Sequence, residues 1–367
     1  MARRGENIYH RKDGRWEGRY KIGWNSEGKR KYGYIYGKSY SEVKQKMSEI
    51  DKDNLSKDIL MKDLIDCWLR KKEGEVKIST YAVYNSVVSS HIGPHLSRLK
   101  LSQITSEKLQ KLISLKLNSL SVKTVRDIIT ILKSIFFMAE AVYAVKNPMK
   151  EIKLPKNDFK EIDVLQYSAS QKIVEAAMQK NDFSSLGILL CLYTGIRLGE
   201  LCALKWGNIC FDKGTVTINK TMQRIRNYDN VSNRKTKIII DTPKSRKSLR
   251  VIPLPDFLCV KLWEAGKGVN PEAYFLTGKS YKFIEPRNYQ NYFKRYLKEL
   301  NLKDVNFHIL RHTFATRCIE VGMDVKSLSE ILGHANINMT LNRYVHSSLE
   351  YRRKQIKKLT FLNNRIN

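Results

Sequence analysis

Along the first fifty residues aromatic and apolar positions alternate with polar ones, and that period of two predicts strands. The runs are Asn7-Ile8-Tyr9-His10, residues 15–21 and residues 31–36, separated by the turn signals Asp13-Gly14 and residues 25–28. Residues 41–50 then read as one helix, so residues 1–53 are expected to form a three-stranded sheet with a helix. The polar stretch 51–58 is a linker. From Met61 the apolar spacing lengthens to that of helices: Leu64, Ile65 and Trp68, then Tyr81, Tyr84, Val87, Val88 and Ile92, a stripe expected to stop at Gly93-Pro94. Leu109, Leu112, Ile113 and Leu117 follow. A long helix from Ser121 carries Val125, Ile128, Ile129, Leu132, Ile135 and Phe136. Residues 59–147 therefore predict a four-helix domain.

Residues 146–163, with Pro148, Pro155 and several lysines, read as a second linker, and residues 162–367 as one larger domain. Ser168-Ala169-Ser170-Gln171 has the spacing of a capping box. Residues 186–193 continue as buried helix, and residues 215–222, 236–241 and 250–254 predict a small β meander within helical sequence. The fold class expected is multidomain, mainly α with small β-sheets.

Composition adds the partner. Of 367 residues, 67 are Lys or Arg and 36 are Asp or Glu, a formal charge of +31. Such a surplus over the whole chain points to a polyanion, with nucleic acid favoured over a membrane surface. No apolar run approaches the roughly twenty residues of a membrane span, and the N-terminus lacks a signal-peptide core. A cytoplasmic setting follows, and six cysteines without CxxC spacing read as thiols in a reducing compartment. The first 53 residues carry fourteen basic and eight acidic side chains. Arg15, Trp16, Arg19 and Lys21 suit a sheet laid in a DNA groove, and an ordinary solvated sheet explains them equally well. Lys123 and the other lysines of the helical domain would contact phosphates without reading bases.

Four stretches of the last domain carry polar groups that packing alone would not require. Thr194-Gly195-Ile196-Arg197-Leu198-Gly199-Glu200 puts an arginine at the head of a helix. Residues 242–250 form a basic turn between strands, with Lys244, Arg246, Lys247 and Arg250, which in isolation reads as a solvated turn. In residues 307–316, His308 and Arg311 fall at i and i+3 on one helical face, and Leu310, Phe314 and Cys318 lie on the face expected to be buried. Leu332-Gly333-His334 closes a helix, and Tyr344 follows ten residues later. His308 and His312 have the spacing of a helical metal pair, but Arg311 between them and the absence of the HExxH glutamate speak against zinc. Two arginines, a lysine, two histidines and a tyrosine, without an acidic pair for Mg²⁺, suit metal-free phosphoryl transfer with a tyrosine nucleophile.

In this order, and with the words TGIRLGEL, PKSRKSLRVIPL, HILRHTFAT and LGHANINMTLNRYVH, residues 162–348 resemble the tyrosine recombinase (phage-integrase) family. The helical domain resembles the family's core-binding domain and residues 1–53 its arm-type DNA-binding domain, as in lambda-type and conjugative-transposon integrases. The resemblance implies a site-specific recombinase of a mobile element that integrates and excises DNA without ATP, metal or other cofactor. It further implies Tyr344 as nucleophile in a 3′-phosphotyrosyl link and Arg197 and Arg311 on the phosphate. Lys244 would protonate the leaving 5′-oxygen, His308 would act as base or proton donor, His334 would hydrogen-bond the phosphate, and Glu200 would hold the arginines. Implied partners are double-stranded DNA carrying core and arm sites, further copies forming a tetramer, an excisionase and host DNA-bending proteins, all at the nucleoid. The basic tail after Glu350 would dock on a neighbouring subunit as in family members, the alternatives being a tail that folds back on its own domain or one that contacts phosphates. The alternatives are a type IB topoisomerase-like relaxing enzyme, or an architectural DNA-binding protein, for which the ordered series would be coincidence.

Overall fold

The computed structural model describes residues 7–24, 30–48, 59–143, 145–156, 163–180, 182–228, 235–242, 248–344, 353 and 356; for residues 21–24, 30, 31 and 342–344 it describes the backbone alone. Two compact units emerge, one holding Met1–Phe159 with Tyr228–Asn230 and the other Lys160–Asn227 with Val231–Asn367.

In the first unit β1 (Ile8–His10), β2 (Trp16–Trp24) and β3 (Arg30–Gly37) form an antiparallel sheet in that order, followed by α1 (Tyr40–Ser48). The Asp13-Gly14 turn forms as expected: Gly14 has φ +82°, and Asp13 Oδ1 accepts from the Arg15 N–H at 3.2 Å. Helix α1 can approach because the strands offer glycine. A Cβ on Gly18 would stand 2.7 Å from one Val43 methyl, and one on Gly37 would stand 2.8 Å from the other. The opposite face pairs Glu17 with Tyr36 and Arg19 with Tyr34. There the Arg19 guanidinium lies 3.7 Å from the Tyr32 ring centre, with Arg11 and Arg15 at 5.4 and 5.6 Å from that of Tyr36. Trp16, expected beside these arginines, lies instead on the helix side, edge-on to Tyr40 at 5.4 Å. Strand alternation is the reason, since residues 16 and 19 must face opposite ways.

The helical stripes form α2 (Met61–Glu75), α3 (Ile78–Val87), α5 (Ser106–Leu117) and α6 (Val122–Tyr143). Their shared core gathers Leu64, Leu109, Ile128, Leu132 and Phe136 around Trp68, whose indole N–H donates to Ser134 Oγ at 3.0 Å. Ser121 caps α6 by accepting from the Thr124 N–H. Two expectations fail here. Gly93-Pro94 does not stop the helix, because a π turn (Val88–Ile92) leads into α4 (Gly93–Leu96) and the Gly93 N–H reaches back to the Val88 carbonyl. The wider turn accommodates a proline ring that an α-helical register would clash with. Met149 and Ile152, assigned to a linker, are buried in the same core, leaving Pro155, whose carbonyl accepts from Arg126 at 2.6 Å. Lys123 is exposed. The linker at 51–58 lies outside the described residues.

The second unit contains α7 (Tyr167–Gln179), α8 (Phe183–Thr194), α9 (Leu198–Ala203), α10 (Asp256–Gly266), α11 (Pro286–Glu299), α12 (Ile309–Glu320), α13 (Val325–Leu332) and α14 (Asn338–Tyr344). Helix α8 is apolar on every side and buried throughout Ser185–Leu192, which makes it the axis of the core. The capping box expected at 168–171 is absent: α7 begins at Tyr167, and Ser170 lies inside it, donating to the Gln166 carbonyl. The run 215–222 is two strands. β5 (Thr215–Ile218) pairs with β4 (Ile209–Cys210) and β8 (Arg250–Pro253), whereas β6 (Thr221–Arg226) pairs with β7 (Thr236–Asp241). Uninterrupted alternation would put Lys220 on the face that buries Val216, Ile218 and Met222, and the break leaves its ammonium in water.

Candidate active site

Two helices end in left-handed glycines. Gly195 closes α8 with φ +63°, and a Cβ there would also strike Phe314 at 2.5 Å, so the position is restricted to glycine by conformation and by space. Gly333 closes α13 with the same φ, and the His334 N–H bonds back to the Ser329 carbonyl in a Schellman pattern. Each closure leaves carbonyls turned outward at the negative end of a helix dipole, where guanidinium groups are favoured donors.

Three arginines from three different elements occupy that position on α13. Arg250 of β8 donates from Nε to the Ile331 carbonyl at 2.6 Å, and Arg311 of α12 donates from Nη2 to that of Leu332 at 2.8 Å. Arg197, the residue before α9, donates from Nη2 to that of Gly333 at 3.3 Å. Arg311 also donates from Nη1 to the Gly195 carbonyl at 2.7 Å, which ties the two glycine closures together. Its Nη2 lies 2.9 Å from His334 Nε2, and His334 Nδ1 lies 2.7 Å from Thr340 Oγ1 on α14. Tyr344 ends that helix, one turn beyond Thr340, and α14 packs on α13 and α12.

Glu200 organises the arginines. It is buried and closes the capping box of α9, accepting from the Arg197 N–H at 2.9 Å and from Arg197 Nη1 at 2.8 Å. Both its oxygens also accept from Arg250, at 3.1 and 2.8 Å. Burial would push its carboxyl up, but hydrogen bonding and charge from Arg250, then the charge of Arg197, hold it down at about 2. It is an anion here, not an acid catalyst.

Arg197, Arg311, His334 and Glu200 converge in one network, and His308 stands at the start of α12, three residues before Arg311, its ring edge-on to His312. Arg311 is 2% exposed, so it does not project from a packed helix as its spacing suggested; both faces of α12 are buried at this level. Arg250, expected on the DNA surface, has a side chain 5% exposed that braces Glu200 and α13. Lys244, Arg246 and Lys247 lie outside the described residues. Thr340 was not singled out by pattern, since a threonine in a helix carries no signal until its histidine partner is placed. All six cysteines are free thiols, and burial pushes Cys318 up to about 11 and Cys191 well above the usual range, so neither of these two is a ready nucleophile. Among the described residues no helix is long and apolar enough to cross a membrane.

The chain is similar to several known proteins. A "Tyrosine recombinase XerC-like" protein of Caldanaerobacter subterraneus subsp. tengcongensis is 28% identical over 354 residues, 89% of this chain and 90% of its own. The transposase from transposon Tn916 of Enterococcus faecalis is 31% identical over 193 residues, 47% of this chain and 44% of its own. Among solved structures, the Tn1549 transposon integrase in complex with transposon right end DNA aligns with a TM-score of 0.68 at 23% identity, over 82% of this chain and 100% of that one. A lambda integrase dimer bound to a COC′ core site aligns at 0.59 and 18%, over 94% and 96%. Both share the fold, with its mainly helical body and small antiparallel sheets. Residues 60–130 match the phage integrase N-terminal SAM-like domain and residues 154–350 the phage integrase family, and this second match spans more than half of the chain and the whole arginine network. The chain belongs to the phage integrase family.

Proposed function

We propose that this protein is the integrase of a mobile genetic element, cutting and rejoining DNA at specific sites through a 3′-phosphotyrosyl intermediate. The observation that carries the reading is the row of arginines on Ile331, Leu332 and Gly333 beside His334, with the tyrosine on the next helix. Three guanidinium groups and one carboxylate leave this corner cationic, and Arg197, about one third exposed, is open to an incoming anion. A phosphodiester set there has its nonbridging oxygens met by pre-aligned donors. The Tyr344 oxygen then forms a bond to phosphorus as the bond to the 5′-oxygen breaks. The phenol proton passes to a base, His308 in this assignment, and Lys244 gives a proton to the departing oxygen. The link keeps the energy of the broken bond, so a 5′-hydroxyl from another strand reverses the step without ATP.

The arginine–tyrosine face of the N-terminal sheet supports arm-site binding, with Arg15, Arg19 and Lys21 on phosphates. Exposed Lys123 supports a phosphate contact in the helical domain. A tetramer on DNA, an excisionase and host bending proteins complete the proposal, as does a cytoplasmic location at the nucleoid. Lambda integrase has been solved as a tetramer bound to a Holliday junction, and the same assembly is the one proposed here.

Expressing the protein in a host carrying the element's two ends on a plasmid tests the reading, with the junctions sequenced. Conservative junctions at fixed positions are expected. Relaxation of supercoiled plasmids without those sites, and no junctions with them, would favour a type IB topoisomerase instead.

A further inference from the structure

We infer that Thr340 is a positioning residue: its hydroxyl selects the tautomer and pose of His334 and so ties the helix carrying Tyr344 to the arginine network. The catalytic consequence rests on the phosphotyrosyl reading; the tether itself rests on geometry. Arginine has donors and no acceptor, so the His334 Nε2 that faces Arg311 at 2.9 Å presents its lone pair. A neutral ring then carries its proton on Nδ1, and the Thr340 hydroxyl oxygen at 2.7 Å accepts it. His334 is 5% exposed and Thr340 fully buried, so water cannot take the hydroxyl's place. Threonine is stiff about its first side-chain bond, and the ring cannot swing while that bond is held. Thr340 and Tyr344 are four residues apart on α14, so the same contact sets the height of the tyrosine's backbone above His334. Arg311, His334, Thr340 and Tyr344 thus form one mechanical series.

The test uses the full chain with ¹⁵N-labelled histidine, comparing wild type with Thr340→Val, which keeps the shape and loses the oxygen, and Thr340→Ser, which keeps the oxygen. In wild type without DNA, His334, assigned by its absence in His334→Gln, should show a protonated Nδ1 and an unprotonated Nε2. In Thr340→Val the two shifts should move toward each other. Covalent adduct formation on a nicked duplex should fall about 10- to 100-fold, while the dissociation constant for uncleaved DNA stays within about twofold. Thr340→Ser should restore both the shifts and most of the rate. An unchanged tautomer in Thr340→Val, or a serine variant as slow as the valine one, would overturn the inference. A wild type that forms no adduct would overturn the phosphotyrosyl reading, and the nitrogen shifts would still decide the tether.

Discussion

On the N-terminal sheet Arg11, Arg15 and Arg19 lean over tyrosine rings, whereas in the C-terminal unit Arg250 and Arg311 are buried against helix-end carbonyls and the partly exposed Arg197 is held by Glu200. Both regions raise the same net charge, yet they serve different ends. Arg11 and Arg15 pair at the surface with the carboxylates of Asp13 and Glu17, and such pairs can be exchanged for a phosphate at any of several positions. An arginine bonded to two carbonyls and a histidine has one orientation, and the protein has already met the cost of fixing it. Charge therefore identifies the class of partner, and the fixing of charge distinguishes a surface that holds DNA from a site that reacts with it.

The sharpest way to break this contrast is Arg311. Arg311→Ala leaves the carbonyls of Gly195 and Leu332 without this donor and frees His334, so adduct formation should fall on the order of 100- to 1000-fold. Arg311→Lys should recover little, since one ammonium cannot span the three acceptors. Near-wild-type cleavage by the lysine variant would mean that charge alone suffices.

Arg250 separates brace from DNA contact. As a brace, its loss strands a buried Glu200, and Arg250→Ala should cost about 3–5 kcal/mol in chemical denaturation. As a phosphate contact, its loss would leave stability unchanged and reduce the salt slope of DNA binding by about one. The pH dependence carries the same information. Glu200 has its carboxyl held at about 2 against an ordinary 4.5, so its contribution, roughly 3 kcal/mol, is complete above pH 4.5 and disappears as pH falls toward 2. Acid titration of unfolding should lose that component in Glu200→Gln.

The smallest stability effect belongs to the sheet. Arg19→Ala should cost at most about 1 kcal/mol, while the salt slope of binding to an arm-site duplex should drop by about one. A large loss of stability with an unchanged slope would place Arg19 in structural service instead.

Much of this was legible in the chain. The stripes of α2 and α6 are periodic enough to be read directly, and Arg197, Glu200, Arg311 and His334, picked out from the sequence, do meet in one network. Trp16 was grouped with the arginines of the sheet, although alternation alone puts it opposite Arg19. The roles of Arg250 and Arg311 were not legible, because their acceptors are main-chain carbonyls, and nothing in the letters of residues 331–333 says which guanidinium will meet them. The π turn before Pro94 and the break at Lys220 were hidden for a related reason: each is a local solution to a burial or steric conflict that appears only once neighbouring elements are in place.

In the proposed mechanism a fixed arginine network presents a phosphate to Tyr344. Its most direct test is a nicked suicide duplex incubated with the protein in EDTA, followed by denaturing electrophoresis and peptide mapping. A covalent protein–DNA adduct whose nucleotide maps to Tyr344 is expected, and a Tyr344→Phe variant should bind the duplex normally and give none. An adduct persisting in Tyr344→Phe, or forming only when Mg²⁺ is supplied, would contradict it.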